Sequence, residues 1–353
     1  MSVPAPVIYE PLPGRILFGL HASETLPTEV AQLGGERIVV IDGLLNSTSE
    51  SIADSLRDLH VATIRGDVQH VPADVAALAE AKVAELRADV LVAIGGGSAT
   101  GLAKAVALRR KLPIIAIPTT YAGSEMTPIW GITDQARKVT GADISVLPHT
   151  VIYDPVLTYS LPLRATAASG MNAVAHCVEA MWTQAANPIT DAVALEGIRC
   201  MATGLRSSIA SPLDATARSQ ALRGAWLGGT ALAVAGTGLH HKICHVLGGT
   251  FNLPHADVHA AVLPWVVDHF RDAVPDVLAR LAVSLGEEDA VHGLVALSRD
   301  LGLSGGLHEL GFTDADIEQA AQMVAEVAPR VPKPVTVDDI AAILEHAMWM
   351  SVR

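Results

Sequence analysis

Residues 89–108 read DVLVAIGGGSATGLAKAVAL. An unbroken apolar, β-branched run gives way to Gly95, Gly96, Gly97 and Ser98 and then to an Ala-rich stretch, which predicts a buried strand turning directly into a helix. Glycines at such a turn let backbone N–H groups approach a diphosphate, and the following helix adds its positive end. A bare glycine triplet can also be no more than tight-turn chemistry. The spacing is not that of GxGxxG, so the dinucleotide fold it predicts is not the usual one.

Similar strand-like runs lie on both sides of the turn: RIVVID (37–42), HVATI (60–64), PIIAIP (113–118) and TVIYD (150–154), with amphipathic or Ala-rich segments such as 73–88 between them. That alternation predicts a parallel sheet flanked by helices. After DPVLTYSLP (154–162) the strand-like runs stop, and helical patterns follow over 165–183, 190–208, 215–235, 240–247, 258–270, 275–285 and 337–349. The fold class is therefore α/β plus all-α: a parallel-sheet dinucleotide-binding domain over 1–161 and a helical substrate and catalytic domain over 162–353. A ligand is expected in the cleft between them.

Composition narrows the function. The chain has 353 residues, half of them apolar (50%), a net charge of −13 and 4% aromatics. An acidic chain without a basic tract is a poor partner for nucleic acid or anionic membrane. Cys177, Cys200 and Cys244 show no paired spacing, which points to a reducing compartment and a cytoplasmic protein. The opening MSVPAPVIYEPLPGR has neither the basic start nor the apolar core of a signal peptide. The uncharged stretch 225–239 is shorter than the ~20 residues a bilayer needs and is glycine-bearing, so it reads as a buried core helix.

Around the glycine turn sit groups suited to a nucleotide. Asp42 ends a strand, where a carboxylate can accept from a ribose diol and favour NAD over NADP, or can cap a turn. IPTTYAGSEMTPIWGITD (117–134) brings the hydroxyls of Thr119, Thr120 and Ser124. Lys138 can neutralise a phosphate or hold a ribose hydroxyl, or be solvated.

The second half carries a histidine cluster. GLHHKICHVLGGTFNLPHADVH (238–259) contains His240, His241, His245, His255 and His259, and SGMNAVAHCVEA (169–180) adds His176. His241 and His245 share a helical face, as do Asn172 and His176, so two helices can aim several imidazoles into one place. A divalent-metal site built this way would want a carboxylate where Asn172 stands. Helix geometry turns His240 and Lys242 away from His241, towards solvent or an interface, and His259, His269, His292 and His308 read as structural.

Together GGGSATGLAKA, IPTTYAGSE, DPVLTYSLP, the Asn172/His176 helix and HHKICHVLGGTFNLPH resemble the iron-containing (group III) alcohol dehydrogenase family, over about Gly14 to His269, and within it the maleylacetate reductases. The resemblance implies an NAD(P)-binding domain, a helical domain, a cleft between them and commonly a homodimer. It places the cofactor role on Asp42, Gly96, Gly97, Ser98, Thr119, Thr120, Ser124 and Lys138, beside Gly95 of the same turn. It places the metal positions of metal-dependent members on Asn172, His176, His241 and His255. Two departures, the amide at Asn172 and a shorter 119–124 loop, are shared with the maleylacetate reductases, which work without metal. No metal is therefore expected.

The activity implied is reduction of the carbon–carbon double bond of maleylacetate to 3-oxoadipate in aromatic-compound degradation. NADH is the expected reductant, with NADPH an open alternative, and the partner is a small dicarboxylate. In this reading His241 and His255 polarise the ketone or bind a carboxylate, while His245 or His176 donates or relays the proton, with Asn172 beside them. The competing readings are a metal-dependent alcohol or polyol dehydrogenase of the same fold, a lyase like 3-dehydroquinate synthase, and a non-catalytic nucleotide-binding protein.

Overall fold

The computed structural model describes residues 9–68, 71–134, 137–303, 305–327, 329 and 331–349. They fall into two compact units, one spanning Leu12–Leu161 and the other the chain from Pro162 onward together with Tyr9–Pro11. Ladder pairing begins at Arg15, and of the described residues Tyr9–Pro11 group with the helical unit, not with the sheet unit as a boundary at 161 implied.

The sheet unit carries, in chain order, β1 (Arg15–Phe18), α1 (Leu26–Gln32), β2 (Ile38–Asp42), α2 (Ser47–Asp54), β3 (His60–Arg65), α3 (Ala73–Glu85), β4 (Val90–Gly95), α4 (Gly97–Arg110), β5 (Ile114–Pro118), a hairpin of β6 (Ile129–Asp134) and β7 (Arg137–Ala142), and β8 (Thr150–Tyr153). Six strands form one parallel sheet in the order β1-β8-β5-β4-β2-β3. Successive residues alternate between its faces. Val39, Ile41, Leu91 and Ala93 meet α3 and α4 on one side, while Ile38, Val40, Val92 and Ile94 meet Leu26 and Val30 of α1 and Ile52 of α2 on the other. Both faces being covered explains why the central strands read as continuous apolar runs.

The helical unit contains α5 (Leu163–Ala180), α6 (Pro188–Ala210), α7 (Ala215–Ala235), α8 (Leu239–Thr250), α9 (His255–His269), α10 (Pro275–Leu285), α11 (Ala290–Asp300), α12 (Asp314–Val327) and α13 (Val337–Ala347). Helix α7 ends at Ala235, as the pattern over 215–235 predicts; Gly236 turns at φ 73°, and α8 begins at Leu239. Helices α6 and α7 touch backbone to backbone, for a Cβ on Gly204 would lie 2.4 Å from the amide nitrogen of Ala221. Among the described residues no helix is long and apolar enough to cross a membrane.

Candidate active site

In the sheet unit the three glycines of the turn do different jobs. Gly95 sits at φ 144°, and a Cβ there would lie 3.0 Å from the Cβ of Ala99 and 3.1 Å from the Cα of Gly43. A Cβ on Gly96 would meet the Thr120 side chain at 2.9 Å, whereas one on Gly97 would find nothing nearer than Ala122 at 3.8 Å. Helix α4 therefore opens on a glycine N-cap with no side chain to cap it, Gly97 being exposed and Ser98 half-buried. That is the shape and polarity of an anion cradle, and a diphosphate fits it.

Thr119 follows directly, its N–H donating to the Gly95 carbonyl at 3.0 Å, so Gly95–Ser98, Thr119 and Thr120 are gathered as the sequence suggested. Ser124 is held in a different way. The buried Lys104 ammonium, projecting from α4, donates to the carbonyls of Ser124 (2.6 Å), Thr127 (2.8 Å) and Ile129 (2.9 Å) and to the Thr127 hydroxyl (3.1 Å). Burial pulls the Lys104 ammonium down to about 7, opposed by nearby Glu125. Glu125, itself pushed up by burial, accepts from the Tyr153 hydroxyl at 2.7 Å. Lys104 was missed in the sequence. Its one signal was a lysine embedded among apolar helix positions.

Asp42 ends β2 and is buried, but its carboxylate already accepts from the N–H groups of Leu44 (2.8 Å) and Leu45 (3.0 Å) and from the Ser49 hydroxyl (2.6 Å). The turn-capping role is therefore built, and of the about four acceptor positions on a carboxylate most are taken. Asp42→Ala is expected to weaken NADH and NADPH about equally, by about tenfold each, because the β2–α2 loop loses its cap. A gain for NADPH alone in fluorescence titrations would show instead that the carboxylate reads the ribose. Lys138 pairs with Thr133 in the β6–β7 hairpin. Its side chain, like that of His255, lies outside the described residues.

In the helical unit the site centres on a residue the sequence reading passed over. Glu179 on α5 is fully buried, and its carboxylate accepts from the N–H groups of Gly238 (2.9 Å), His240 (2.7 Å) and His241 (3.4 Å) and from Nδ1 of His241 (2.5 Å). It thus caps α8 and grips its first working histidine. The His241 ring stacks on His176 of α5, centroids 4.8 Å apart and planes 11° apart. One turn along α8, His245 is exposed and its ring lies 6.3 Å from that of His241. Asn172 stands one turn before His176, half-buried, with its Oδ1 buried and lacking a hydrogen-bond partner. A hint of Glu179 was present: it is three residues from His176 and so shares its face of an otherwise apolar helix.

His240 departs from expectation. It is fully buried, its ring packs edge-on against His241 at 5.3 Å, and its Nε2 lies 2.8 Å from Nδ1 of the equally buried His259. The reason is position, since in the first turn of α8 its side chain faces α9, whose His259 supplies the partner. Among the described residues, the grouping with donor atoms close enough for a metal is His240, Cys244 and His259, all within 4.8 Å. Burial pushes the Cys244 thiol well up, and the two imidazoles are already bonded to each other. The set that metal-dependent relatives would use offers an amide at Asn172 in place of a carboxylate. That set therefore lacks its anionic ligand, and the buried set would have to give up both the His240–His259 bond and the Cys244 thiol proton, so neither fits a resident metal well.

Residues 13–155 match iron-containing alcohol dehydrogenase, and residues 166–348 match the Fe-containing alcohol dehydrogenase family, C-terminal. The chain belongs to the iron-containing alcohol dehydrogenase family. Within that family it is 44% identical to the maleylacetate reductase of Burkholderia cepacia over 334 residues, covering 94% of this chain and 95% of that one. Its fold matches the crystal structure of maleylacetate reductase from Agrobacterium tumefaciens with a TM-score of 0.94 at 38% identity, and that of an iron-containing alcohol dehydrogenase from Corynebacterium glutamicum with 0.94 at 42%, each over 98% of both chains.

Proposed function

We propose that this family member reduces the carbon–carbon double bond of maleylacetate to 3-oxoadipate, using NADH and no metal. NADH, held by the sheet unit, supplies the hydride, which goes to the alkene carbon β to the ketone and leaves an enolate. The residues of the helical unit must then stabilise the enolate oxygen and deliver a proton to the α carbon. The observation that carries this reading is His241, backed by a buried carboxylate and stacked on His176. With Nδ1 facing that carboxylate, Nε2 is the ring nitrogen that can carry a proton to the enolate oxygen and, while it carries one, attract a dianionic substrate into an acidic protein. His245, exposed one turn away, is placed to exchange a proton with solvent. The two protons and two electrons gained by the substrate are thus one hydride and one proton.

The three cysteines are all free and buried, which supports a cytoplasmic setting, and family resemblance supports a homodimer. The buried His240, Cys244 and His259 favour one second reading, a metal-dependent alcohol dehydrogenase. Following NADH consumption with maleylacetate, with and without chelator, decides between them. Turnover unaffected by chelator is expected; its loss on chelation, with recovery on added zinc or iron, would establish the second reading.

A further inference from the structure

We infer that Glu179 is a positioning residue for this reaction, fixing the tautomer and orientation of His241 so that the imidazole always works through Nε2. The inference rests on the proposed reaction, but its geometry is independent of substrate. Backbone N–H groups can only donate, and three of them address the Glu179 oxygens: His240 at Oε1, and Gly238 and His241 at Oε2. Both oxygens are thereby committed as acceptors, and Oε2 faces Nδ1 of His241. The proton of that contact belongs on Nδ1, so Nε2 is the ring nitrogen that can gain or lose a proton during the reaction. Burial pushes the Glu179 carboxyl up, and the N–H groups at the positive end of α8 pull it back towards the anion.

The approach is tight enough to demand a glycine. A Cβ on Gly238 would lie 2.6 Å from Oε1 of Glu179, so the chain leading into α8 comes as near to the carboxylate as it can only because residue 238 has no side chain. One carboxylate therefore sets both where α8 begins and which way its histidine faces. An amide at this position could not do the same. Whichever way it turned, its NH2 group would confront an N–H donor, at His240 on one side or at Gly238 and Nδ1 on the other. The second orientation would pull the proton off Nδ1 and reverse the tautomer.

The test uses the wild-type protein with ¹⁵N-labelled histidines, His241 being identified by its absence from the spectrum of His241→Gln. A protonated Nδ1 is expected; a bare Nδ1 with the proton on Nε2 overturns the inference, and this measurement requires no Glu179 variant to fold. In Glu179→Gln with far-UV circular dichroism unchanged, Nδ1 should no longer be uniformly protonated and kcat should fall about 100-fold, with KM for NADH within about twofold of wild type. Glu179→Asp should recover part of kcat, since it restores an anion that only accepts. A folded Glu179→Gln with wild-type kcat overturns the inference. Absence of turnover by the wild type itself would sink the proposed reaction while leaving the tautomer measurement to judge Glu179.

Discussion

His241→Gln should lower kcat for maleylacetate reduction about 10³-fold while leaving NADH affinity within about twofold of wild type. Glutamine is close in reach and can still donate a hydrogen bond, so the substitution removes two properties in particular: the ability to carry a positive charge and the ability to exchange a proton near neutrality. Both are asked for when the enolate forms, because the negative charge appears on an oxygen that no metal ion faces in the proposed mechanism. The substitution also strands the Glu179 carboxylate against an amide, although its three backbone N–H donors remain. Binding of the nucleotide should not follow kcat down, since the glycine turn, Thr119 and Thr120 lie in the other compact unit. Stopped-flow measurement of NADH oxidation with bound maleylacetate reads the effect directly. A variant within about tenfold of wild type would remove His241 from the chemistry and shift attention to His176 or His245.

What could be read from sequence and what could not divide along a physical line. The buried strands around the glycine turn were legible because a parallel sheet covered on both faces needs unbroken apolar runs, and Ile38–Asp42, Val90–Gly95 and Ile114–Pro118 supply them. Strand β1 was not, being four residues at the edge of the sheet with Arg15 at its start. Nor was the β6–β7 hairpin, whose strands IWGITD and RKVTGA carry internal glycines and show no clean apolar–polar alternation. Helices α11 and α12 were not read from the sequence either. Histidines 241 and 245 share a face of α8 as their spacing required, and His176 of α5 stacks on the first of them.

The groups that hold the site in place were the hidden part. Glu179 and Lys104 are charged side chains in the interior, and the default for either residue type is the surface. Their burial becomes tolerable only through partners remote in sequence, the Gly238–His241 segment for one and the Ser124–Ile129 segment for the other. The same holds for His240, whose partner His259 lies on the next helix. Periodicity along one helix cannot reveal such pairings. It can only flag a charged residue set among apolar ones as a position whose partner has yet to be found.

Lys104→Met is the substitution that should cost the sheet unit most. Methionine nearly matches lysine in length and leaves little cavity, so the effect isolates the ammonium. Its loss strands the carbonyls of Ser124, Thr127 and Ile129, which it holds at 2.6, 2.8 and 2.9 Å, the Thr127 bond being buried and the other two part-buried. Each orphaned buried acceptor costs about 1–3 kcal/mol, and relief from burying a charge offsets part of the sum, so a net loss of roughly 3 kcal/mol in unfolding free energy is expected. The functional effect follows from what the lysine ties together. It projects from the helix that opens at the glycine turn and grips the segment that continues from Thr119 and Thr120, so both walls of the nucleotide cradle lose their common anchor. Affinity for NADH should fall by about tenfold or more, while kcat at saturating NADH stays within about threefold of wild type. Lys82→Met is the control, since that lysine is exposed and pairs with Glu85 one turn away, and it should shift stability by no more than about 0.5 kcal/mol. Urea unfolding and fluorescence titration with NADH measure the two quantities side by side. If Lys104→Met matched the control in both, the buried ammonium would be filling space rather than fastening the loop.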